Sequence, residues 1–368
     1  MRESASAAAD DRIMLGDLAP ARRVPLEALF RGESLPAPPS RPDRRLRESP
    51  GPDPACCGVC GEAVRGPSRL ARDRLHHTPG VFRVVTCAEC GHRQLAAPLD
   101  AEQLQRAYPD FYLVRGMAPE HDGSWRARLM CKYVKDMERR RVEIVQRYAA
   151  LDGHTRALDV GCGNATFMEA LREAGVVEAS GTEMDAASVQ RAGRKGFSVF
   201  RGSLSEIPIE PQSLDVVSLW HVLEHLAAPA AELQRARRLL KPGGFVFIGV
   251  PDASGLTARL FGQYWFGADL PRHAHQFTSA EIAILAERTG FHLADVVHLT
   301  EAPALAGSLH NLLGLSWWDA LRDNLVRWLL LAGCTIPLDH LLRFLGLGDW
   351  MIAVLQRPGQ PGSQAEED

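Results

Sequence analysis

The chain has 368 residues, of which 46% are hydrophobic and 24% are charged. It carries 42 Lys and Arg against 45 Asp and Glu, which gives a formal net charge of −3. This balance excludes binding driven by bulk positive charge, so a nucleic-acid or anionic-membrane partner would require a local basic patch. The length and apolar content predict roughly two domains, each able to bury a core.

Cysteine usage and the chain ends favour an intracellular protein. The first residues, MRESASAAADD, lack the apolar segment of a signal peptide. The longest apolar stretch near the C-terminus, Trp328 to Leu338, is far shorter than the ~20 residues of a membrane-spanning helix. Two C-x-x-C pairs are more typical of metal binding in a reducing compartment than of a secreted disulfide scaffold. The sequence therefore predicts a cytoplasmic protein.

Three segments precede the larger predicted domain. Residues 1–50 are rich in Pro and charged side chains without a sustained hydrophobic period, and we expect them to be disordered. Residues 51–100 hold the cysteine pairs and form a predicted zinc-binding module. Across residues 101–150, apolar side chains recur at helical spacing from Met130 to Tyr148. This pattern predicts a connecting amphipathic helix with Arg139, Arg140 and Arg141 on its exposed face.

Residues 151–300 alternate between short apolar runs and helical stretches. The runs are ALDV, VEASGT, FSVF, LDVVSLW and FVFIGV. Such alternation predicts parallel strands joined by right-handed crossovers, and hence an α/β, doubly wound fold.

The C-terminal region, residues 301–358, is rich in Leu and Trp. Its apolar residues from Leu305 to Gly348 fit buried helices that cap an active site or form a homodimer interface. A peripheral membrane contact is the alternative, because Trp and Arg flank short apolar runs. A final strand is predicted from Met351 to Leu355, followed by a disordered tail over residues 359–368.

The two cysteine pairs have the spacing of a metal site. Cys57 and Cys60 form one C-x-x-C-G pair, Cys87 and Cys90 form the other, and 26 residues separate the two pairs. Two intervening residues let both thiolates of one turn face one ion, and four thiolates complete a tetrahedral Zn²⁺ site. With every position filled by sulfur the zinc would be structural. Cys56 competes with Cys57, but only Cys57 reproduces the spacing of the second pair.

A glycine-containing turn, Leu158 to Asn164, follows the first predicted strand of the larger domain. Thr166 stands where a dinucleotide-binding fingerprint has its third glycine. Asp159 directly precedes the turn, where a carboxylate would be unfavourable beside a pyrophosphate. The pattern favours a ligand that has a cationic group and no phosphates.

The strings LDVGCGN, GTEMD, PQSLDVV and LKPGGFVFIGVP resemble, in order and spacing, the motifs of class I S-adenosylmethionine (SAM)-dependent methyltransferases. This resemblance implies a Rossmann-like methyltransferase sheet with SAM as cofactor. It places Asp159 near the methionyl amino group and Glu183 at the ribose hydroxyls, and a carboxylate can accept both hydrogen bonds of a vicinal diol. The full cofactor set that it implies is Asp159, Gly161, Cys162, Gly163, Glu183, Met184, Gly202, Ser203 and Trp220.

Two histidine-containing segments contain the candidate catalytic residues. WHVLEHL (residues 220–226) and LPRHAHQF (residues 270–277) are similar to segments of a methyltransferase subgroup that often has an N-terminal zinc module and acts on small-molecule or glycan-type acceptors. A histidine with a near-neutral pKa can remove the acceptor's proton, and a glutamate can orient it. We expect His225 to be the base and Glu224 and His221 to support it. His273 and His275 are the rivals, and a metal role is disfavoured because no third ligand is evident beside His221 and His225.

The expected function is methyl transfer from SAM to an O or C atom of a small-molecule or sugar-containing acceptor. RNA base methylation is a second reading, disfavoured by the net acidic charge. The absence of an Asn/Asp-Pro-Pro-aromatic loop after the fourth strand argues against methylation of base amino groups and leaves methylation of base carbons open. A non-catalytic scaffold with a zinc module is a third. The intact set of Asp159, Gly161, Gly163 and Glu183 weighs against it.

Overall fold

The computed structural model describes residues 56–97, 99, 103, 107, 125–299, 304–314, 338, 341, 344 and 348–359. The predictions for residues 1–50, for nearly all of the 359–368 tail and for most of the 305–348 region lie outside these residues. None of the described helices has the length and apolar character needed to cross a bilayer.

A seven-stranded sheet forms the larger part of the fold. In sheet order its strands are β10 (His292–Leu299), β11 (Trp350–Gln356), β8 (Leu240–Pro251), β7 (Leu214–Trp220), β4 (Arg156–Val160), β5 (Glu178–Glu183) and β6 (Ser198–Arg201). The neighbours from β6 to β8 run parallel, whereas β11 is antiparallel to both β8 and β10. The result confirms the predicted doubly wound, Rossmann-like α/β fold. The final strand lies inside this sheet.

Helices cover both faces of the sheet. Those with described bounds are α1 (Trp125–Val145), α2 (Thr166–Glu173), α3 (Ala186–Arg194), α4 (Pro229–Leu239), α5 (Leu256–Phe261), α6 (Ser279–Thr289) and α7 (Ala304–Leu312). Val217 and Leu219 of β7 pack into a buried cluster with α4 and α6. Val216 and Trp220 pack into another with α1 and α2. Successive strand residues point to opposite faces, so the continuous apolar run of β7 is buried on both sides.

A smaller antiparallel sheet connects the cysteine-bearing segment to the large domain. Its strands are β1 (Ser68–Ala71), β2 (Phe82–Thr86), β3 (Arg93–Leu95) and β9 (His275–Gln276), in that order. The first three belong to residues 56–97, hereafter the cysteine module, whereas β9 belongs to the loop that precedes α6. Cys57 and Val59 also share a buried cluster with Ile282 of α6. The module and the large domain therefore share both a sheet and a core.

Helix α1 differs from its prediction at one arginine. Arg139 and Arg140 are exposed as expected, but Arg141 is only 6% exposed. Its guanidinium lies 4.8 Å from the centre of the Trp220 ring and donates to Glu138 Oε2 at 3.3 Å. The prediction of an exposed Arg141 is wrong, because the helical period places it on the buried side together with Glu138.

Candidate active site

The turn after β4 requires glycine at two positions. Gly161 has φ of 67° and Gly163 has φ of 52°, a region that residues with a Cβ rarely adopt. A Cβ on Gly161 would also lie 2.6 Å from Cγ2 of Val222. Val222 precedes the 3₁₀ turn Leu223–His225, so the glycine turn lies directly against the segment that carries the candidate base.

Glu183 ends β5 beside this turn. Its Oε2 accepts a hydrogen bond from the Gly163 amide at 3.0 Å, and its Oε1 accepts one from the Asp185 amide at 2.8 Å. Each carboxylate oxygen can accept a further hydrogen bond. The arrangement presents a fixed carboxylate to a ligand that offers two hydroxyls.

Asp159 lies at the same edge of the sheet. It is 3% exposed, and its Oδ1 accepts a hydrogen bond from Ser218 Oγ at 2.6 Å. Burial raises the pKa of Asp159 to about 7, and the charge of nearby Glu183 acts in the same direction. The two carboxylates expected to contact a cofactor are therefore neighbours. A cationic group beside Asp159 would favour its ionised form.

The turn after β6 brings in an acid that sequence reasoning missed. Gly202 has φ of 137° and donates from its amide to the Glu183 carbonyl at 3.2 Å. The next amide, that of Ser203, donates to Glu206 Oε2 at 3.0 Å. Met184, at the end of β5, is 69% exposed. Glu206 thus supplies a carboxylate beside the Ser203 amide, although the Ser203 side chain is not an acid.

Two of the expected cofactor residues are packed into the core. The thiol of Cys162 is buried with Met168 and Ala192. This residue can therefore serve a ligand through its backbone. Trp220 is 7% exposed and meets Phe167 edge to face at 5.0 Å between ring centres, while its indole nitrogen has no hydrogen-bond partner among the described residues.

Glu224 is a buried carboxylate surrounded by histidines. It is 1% exposed, and neither oxygen makes a hydrogen bond within the described part of the chain. Its Oε1 lies 3.6 Å from His221 Nδ1 and 3.9 Å from His273 Nε2. Burial opposes ionisation, but the neighbouring histidines hold the pKa of Glu224 below its usual value. The site therefore contains an ionised acceptor ready to stabilise a nearby positive charge.

The protonated nitrogen of His225 is fixed by its surroundings. His225 Nδ1 lies 2.9 Å from the Arg272 carbonyl oxygen, which can only accept, so Nδ1 carries the proton. In the neutral ring Nε2 is then the nitrogen that can accept a proton. Burial and the nearby charge of His273 lower the pKa of His225 to about 4. The ring is therefore neutral near pH 7, and its pKa lies below the near-neutral value expected of a base from the sequence.

His273 completes this group. Its Nδ1 lies 2.8 Å from the Gly267 carbonyl oxygen, and its ring centre lies 4.6 Å from that of His225. One ligand-capable atom from each of Glu224, His225 and His273 lies within 4.8 Å of the others. The sequence spacing suggests only His221 and His225 as a candidate ligand pair, whereas this group joins His225 to Glu224 and to His273 from a distant loop. The three side chains have the spacing to hold a cation, and Glu224 lies close enough to stabilise a charge on either ring.

The rival base His275 lies elsewhere, at the contact with the cysteine module. Its Nδ1 is 2.8 Å from His92 Nε2, and its ring stacks on Phe277 at 5.6 Å. Burial lowers the pKa of His275 to about 3. Among the two rivals, the structure brings His273 and not His275 to Glu224.

His221 is held by the arginine that the sequence reading placed in solvent. Arg141 Nη2 lies 3.1 Å from His221 Nε2, and because a guanidinium only donates, Nε2 is the accepting nitrogen. The proton of His221 is then on Nδ1, the nitrogen closer to Glu224. A signal for Arg141 did exist in the helical period of α1, but nothing local in the sequence joins that helix to residue 221.

The four predicted cysteines come together at one point. Cys57 and Cys90 have their sulfurs 3.7 Å apart, as do Cys60 and Cys87. All four sulfurs lie within 4.8 Å of one another, and Cys56 is exposed outside the group. A tetrahedral zinc with Zn–S bonds of ~2.3 Å has S–S edges of about 3.8 Å. The donor set and its spacing therefore fit Zn²⁺.

Comparison with known proteins identifies the class of enzyme. Residues 133–296 match the family model described as a methyltransferase domain. A ubiquinone biosynthesis O-methyltransferase of Pseudomonas paraeruginosa is 31% identical over 186 residues, which are 47% of this chain and 79% of that protein. One from Methylococcus capsulatus is 28% identical over 197 residues, 50% of this chain and 82% of the relative.

Among solved structures, a SAM-dependent methyltransferase from Archaeoglobus fulgidus aligns with a TM-score of 0.42 at 20% identity, covering 60% of this chain and 94% of that one. The sequence matches establish that the chain belongs to the methyltransferase family. It is a class I SAM-dependent methyltransferase. The reading of a non-catalytic scaffold is accordingly dropped.

Proposed function

We propose that this enzyme transfers the methyl group of SAM to a hydroxyl oxygen of a small-molecule acceptor. The observation that carries the proposal is the buried, ionised Glu224 beside His225 and His273, placed against the glycine turn at one edge of the sheet. The similar proteins named ubiquinone biosynthesis O-methyltransferases support oxygen as the methylated atom.

Glu183 and Asp159 define the cofactor half of the proposed site. When bound, SAM supplies an activated methyl group on a sulfonium. Glu183 accepts the ribose hydroxyls, Asp159 faces the amino-acid end, and the amides at Gly161 and Gly163 line the turn between them. The remaining proposed contacts are Cys162 through its backbone, Met184, Gly202, Ser203 and Trp220.

His225 is the proposed base of the acceptor half. Its Nε2 accepts the proton of the acceptor hydroxyl, so that an O–H bond breaks and an N–H bond forms. The charge that develops on the ring is stabilised by Glu224, because an opposite charge at short range favours the protonated imidazole. His221 and His273 keep the carboxylate in place.

The acceptor class can be tested directly. Purified full-length protein and SAM are incubated with a panel of hydroxylated small molecules, including phenols, catechols and nucleotide sugars, and separately with total RNA. We expect methyl ethers, identified by mass spectrometry and by the loss of the exchangeable hydroxyl proton. Methylated bases in RNA and no methylated small molecule would instead establish RNA base methylation as the activity.

The role of the Glu224, His225 and His273 group needs its own control, because these side chains could also coordinate a cation. A base mechanism predicts that brief treatment with a chelator leaves turnover unchanged. Loss of turnover that a divalent cation restores, in protein that has kept its cysteine-bound metal, would assign these residues as ligands and remove His225 from the role of base.

The cysteine module is proposed to bind one structural zinc ion through Cys57, Cys60, Cys87 and Cys90. Four thiolates leave no open coordination position, so the ion would organise the fold and take no part in chemistry. With this module, the HVLEH segment at residues 221–225 and the LPRH segment at residues 270–273, we place the enzyme in the methyltransferase subgroup that shares these features.

A further inference from the structure

Arg272 lies at the junction between the cysteine module and the loop that carries His273. It is fully buried, and its guanidinium pairs with Asp269 at 2.6 Å and with Asp73 at 2.9 Å. Asp269 belongs to the same loop, whereas Asp73 follows β1 in the cysteine module, 199 residues earlier in the chain. Removing either carboxylate would leave a buried charge incompletely compensated, which is strongly unfavourable.

The other hydrogen bonds of Arg272 fix its orientation. Nη1 also donates to the hydroxyl of Thr78 at 3.2 Å and to the Ala107 carbonyl at 2.8 Å, while Nη2 donates to the Leu270 carbonyl at 3.3 Å. The planar donor fork of arginine thus reaches three separate segments of the chain. We call Asp73, Arg272 and Asp269 the arginine clamp.

The main chain of Arg272 contacts the candidate base. Its carbonyl oxygen accepts the hydrogen bond from His225 Nδ1 at 2.9 Å, the contact that decides which ring nitrogen carries the proton. Direct contacts therefore run from Asp73 in the cysteine module through Arg272 to His225. A rotated carbonyl would no longer favour the tautomer in which Nε2 accepts a proton.

We propose that Asp73 and Arg272 are positioning residues for methyl transfer, and that through them the cysteine module is a component of the acceptor site. The clamp holds the Arg272 carbonyl in the place that fixes the His225 proton on Nδ1. This inference rests on the proposed function, since His225 matters here as the base. It assigns the module a role in turnover that is separate from binding SAM.

The test uses the full-length, metal-loaded protein with Asp73→Asn. Asn keeps an oxygen for the amides of Leu75 and His76, which donate to Asp73 Oδ1 at 3.0 and 2.9 Å. Its amide nitrogen takes the place of Oδ2, which removes the charge opposite Arg272 and the hydrogen bond from the Thr78 amide at 3.0 Å. We expect the ¹⁵N signals of the His225 ring to change from a single Nδ1-protonated form to a mixture of tautomers. Turnover should fall about tenfold or more, as expected when a general base is misoriented. SAM affinity and bound metal should stay within twofold.

Arg288→Ala is the matched control. Arg288 Nη1 donates to the Val59 carbonyl at 2.7 Å, so it also ties the module to the large domain without touching the clamp. We expect this variant to keep the native His225 tautomer and near-native turnover. The proposal is overturned by an equal loss of turnover in Arg288→Ala, or by unchanged ¹⁵N signals of the His225 ring in Asp73→Asn.

Two further variants keep the result decisive. If Asp73→Asn does not fold, as judged by circular dichroism, Thr78→Val removes a single neutral contact to Arg272. A change in the His225 tautomer in that variant supports the proposed role of the arginine clamp, and the native tautomer refutes it. His225→Ala tests the proposed function separately. Full activity in this variant would show that His225 is not the base. A tautomer change in Asp73→Asn is read by NMR and does not depend on any activity measurement.

Discussion

The two halves of the proposed active site are built in different ways. The cofactor half comes from consecutive turns after β4, β5 and β6, so Gly163, Glu183 and Gly202 are neighbours through the topology of one sheet. The acceptor half combines the 3₁₀ turn after β7, the loop before β9, helix α1 and the cysteine module. The first half requires only local strand-turn-helix geometry, whereas the second forms only when distant segments have packed.

The largest expected effect comes from disrupting the half that depends on distant contacts. Cys57→Ser should abolish stoichiometric zinc binding and remove most activity, because folding of a small thiolate module is coupled to binding of its metal. Metal content by mass spectrometry and turnover are the measurements. Cys56→Ser, at an exposed neighbour outside the cluster, is the control and should keep both. A Cys57→Ser protein with one zinc per chain would refute the proposed ligand set.

A smaller but still large effect is expected from the base itself. His225→Ala should lower turnover about 100-fold, within the usual contribution of general base catalysis, and leave SAM affinity within twofold. Steady-state kinetics and calorimetry measure the two quantities. His292→Ala, an exposed histidine at the start of β10, should behave as the native protein does. Weakened SAM binding in His225→Ala would mean that the acceptor half also contributes to cofactor binding.

The converse variant tests the cofactor half. Glu183→Ala should weaken SAM binding by roughly 30-fold, because hydrogen bonds to a charged group contribute about 2 kcal/mol. The control is Glu178→Ala, at the exposed start of the same strand. Calorimetry that finds the native affinity in Glu183→Ala would remove this residue from the ribose contact.

The smallest effect is a dependence of SAM affinity on pH. Asp159 has a pKa of about 7 without ligand, and a bound cation should lower it, so the complex holds fewer protons than the free protein. Affinity should therefore rise between pH 6 and 8, by up to about tenfold, the change in the ionised fraction of a group with this pKa. Asp159→Asn should abolish this rise. An equally steep rise in that variant would assign the proton to another group.

The sequence was sufficient for the fold and for the glycine turn that the proposed cofactor half contains. The alternation of apolar runs with helical stretches predicted β4 to β8, and the glycines around Cys162 marked the turn because their positive φ leaves a local sequence signature. The cysteine spacing likewise predicted which four sulfurs meet. These features depend on residues that are close in the chain or on an ordered sheet.

The acceptor half could be predicted only in part. HVLEH and LPRH pointed to Glu224, His225 and His273, but the sequence did not predict that these three side chains form one group. The contacts on which the proposed roles of Arg141 and Asp73 rest were not predicted, because each joins residues 80 or more positions apart in the chain. A buried ion pair between distant segments leaves no periodicity or residue spacing in the sequence from which it could be predicted.

The placement of β11 has a consequence for synthesis of the protein. This strand is the last described one in the chain, yet it lies between β8 and β10. While residues 350–356 are still inside the ribosome, the facing edges of β8 and β10 have unpaired backbone groups, which are open to pairing with other chains. A nascent chain of this enzyme therefore completes this sheet only after β11 has been synthesised, and termination before residue 350 would leave both edges exposed.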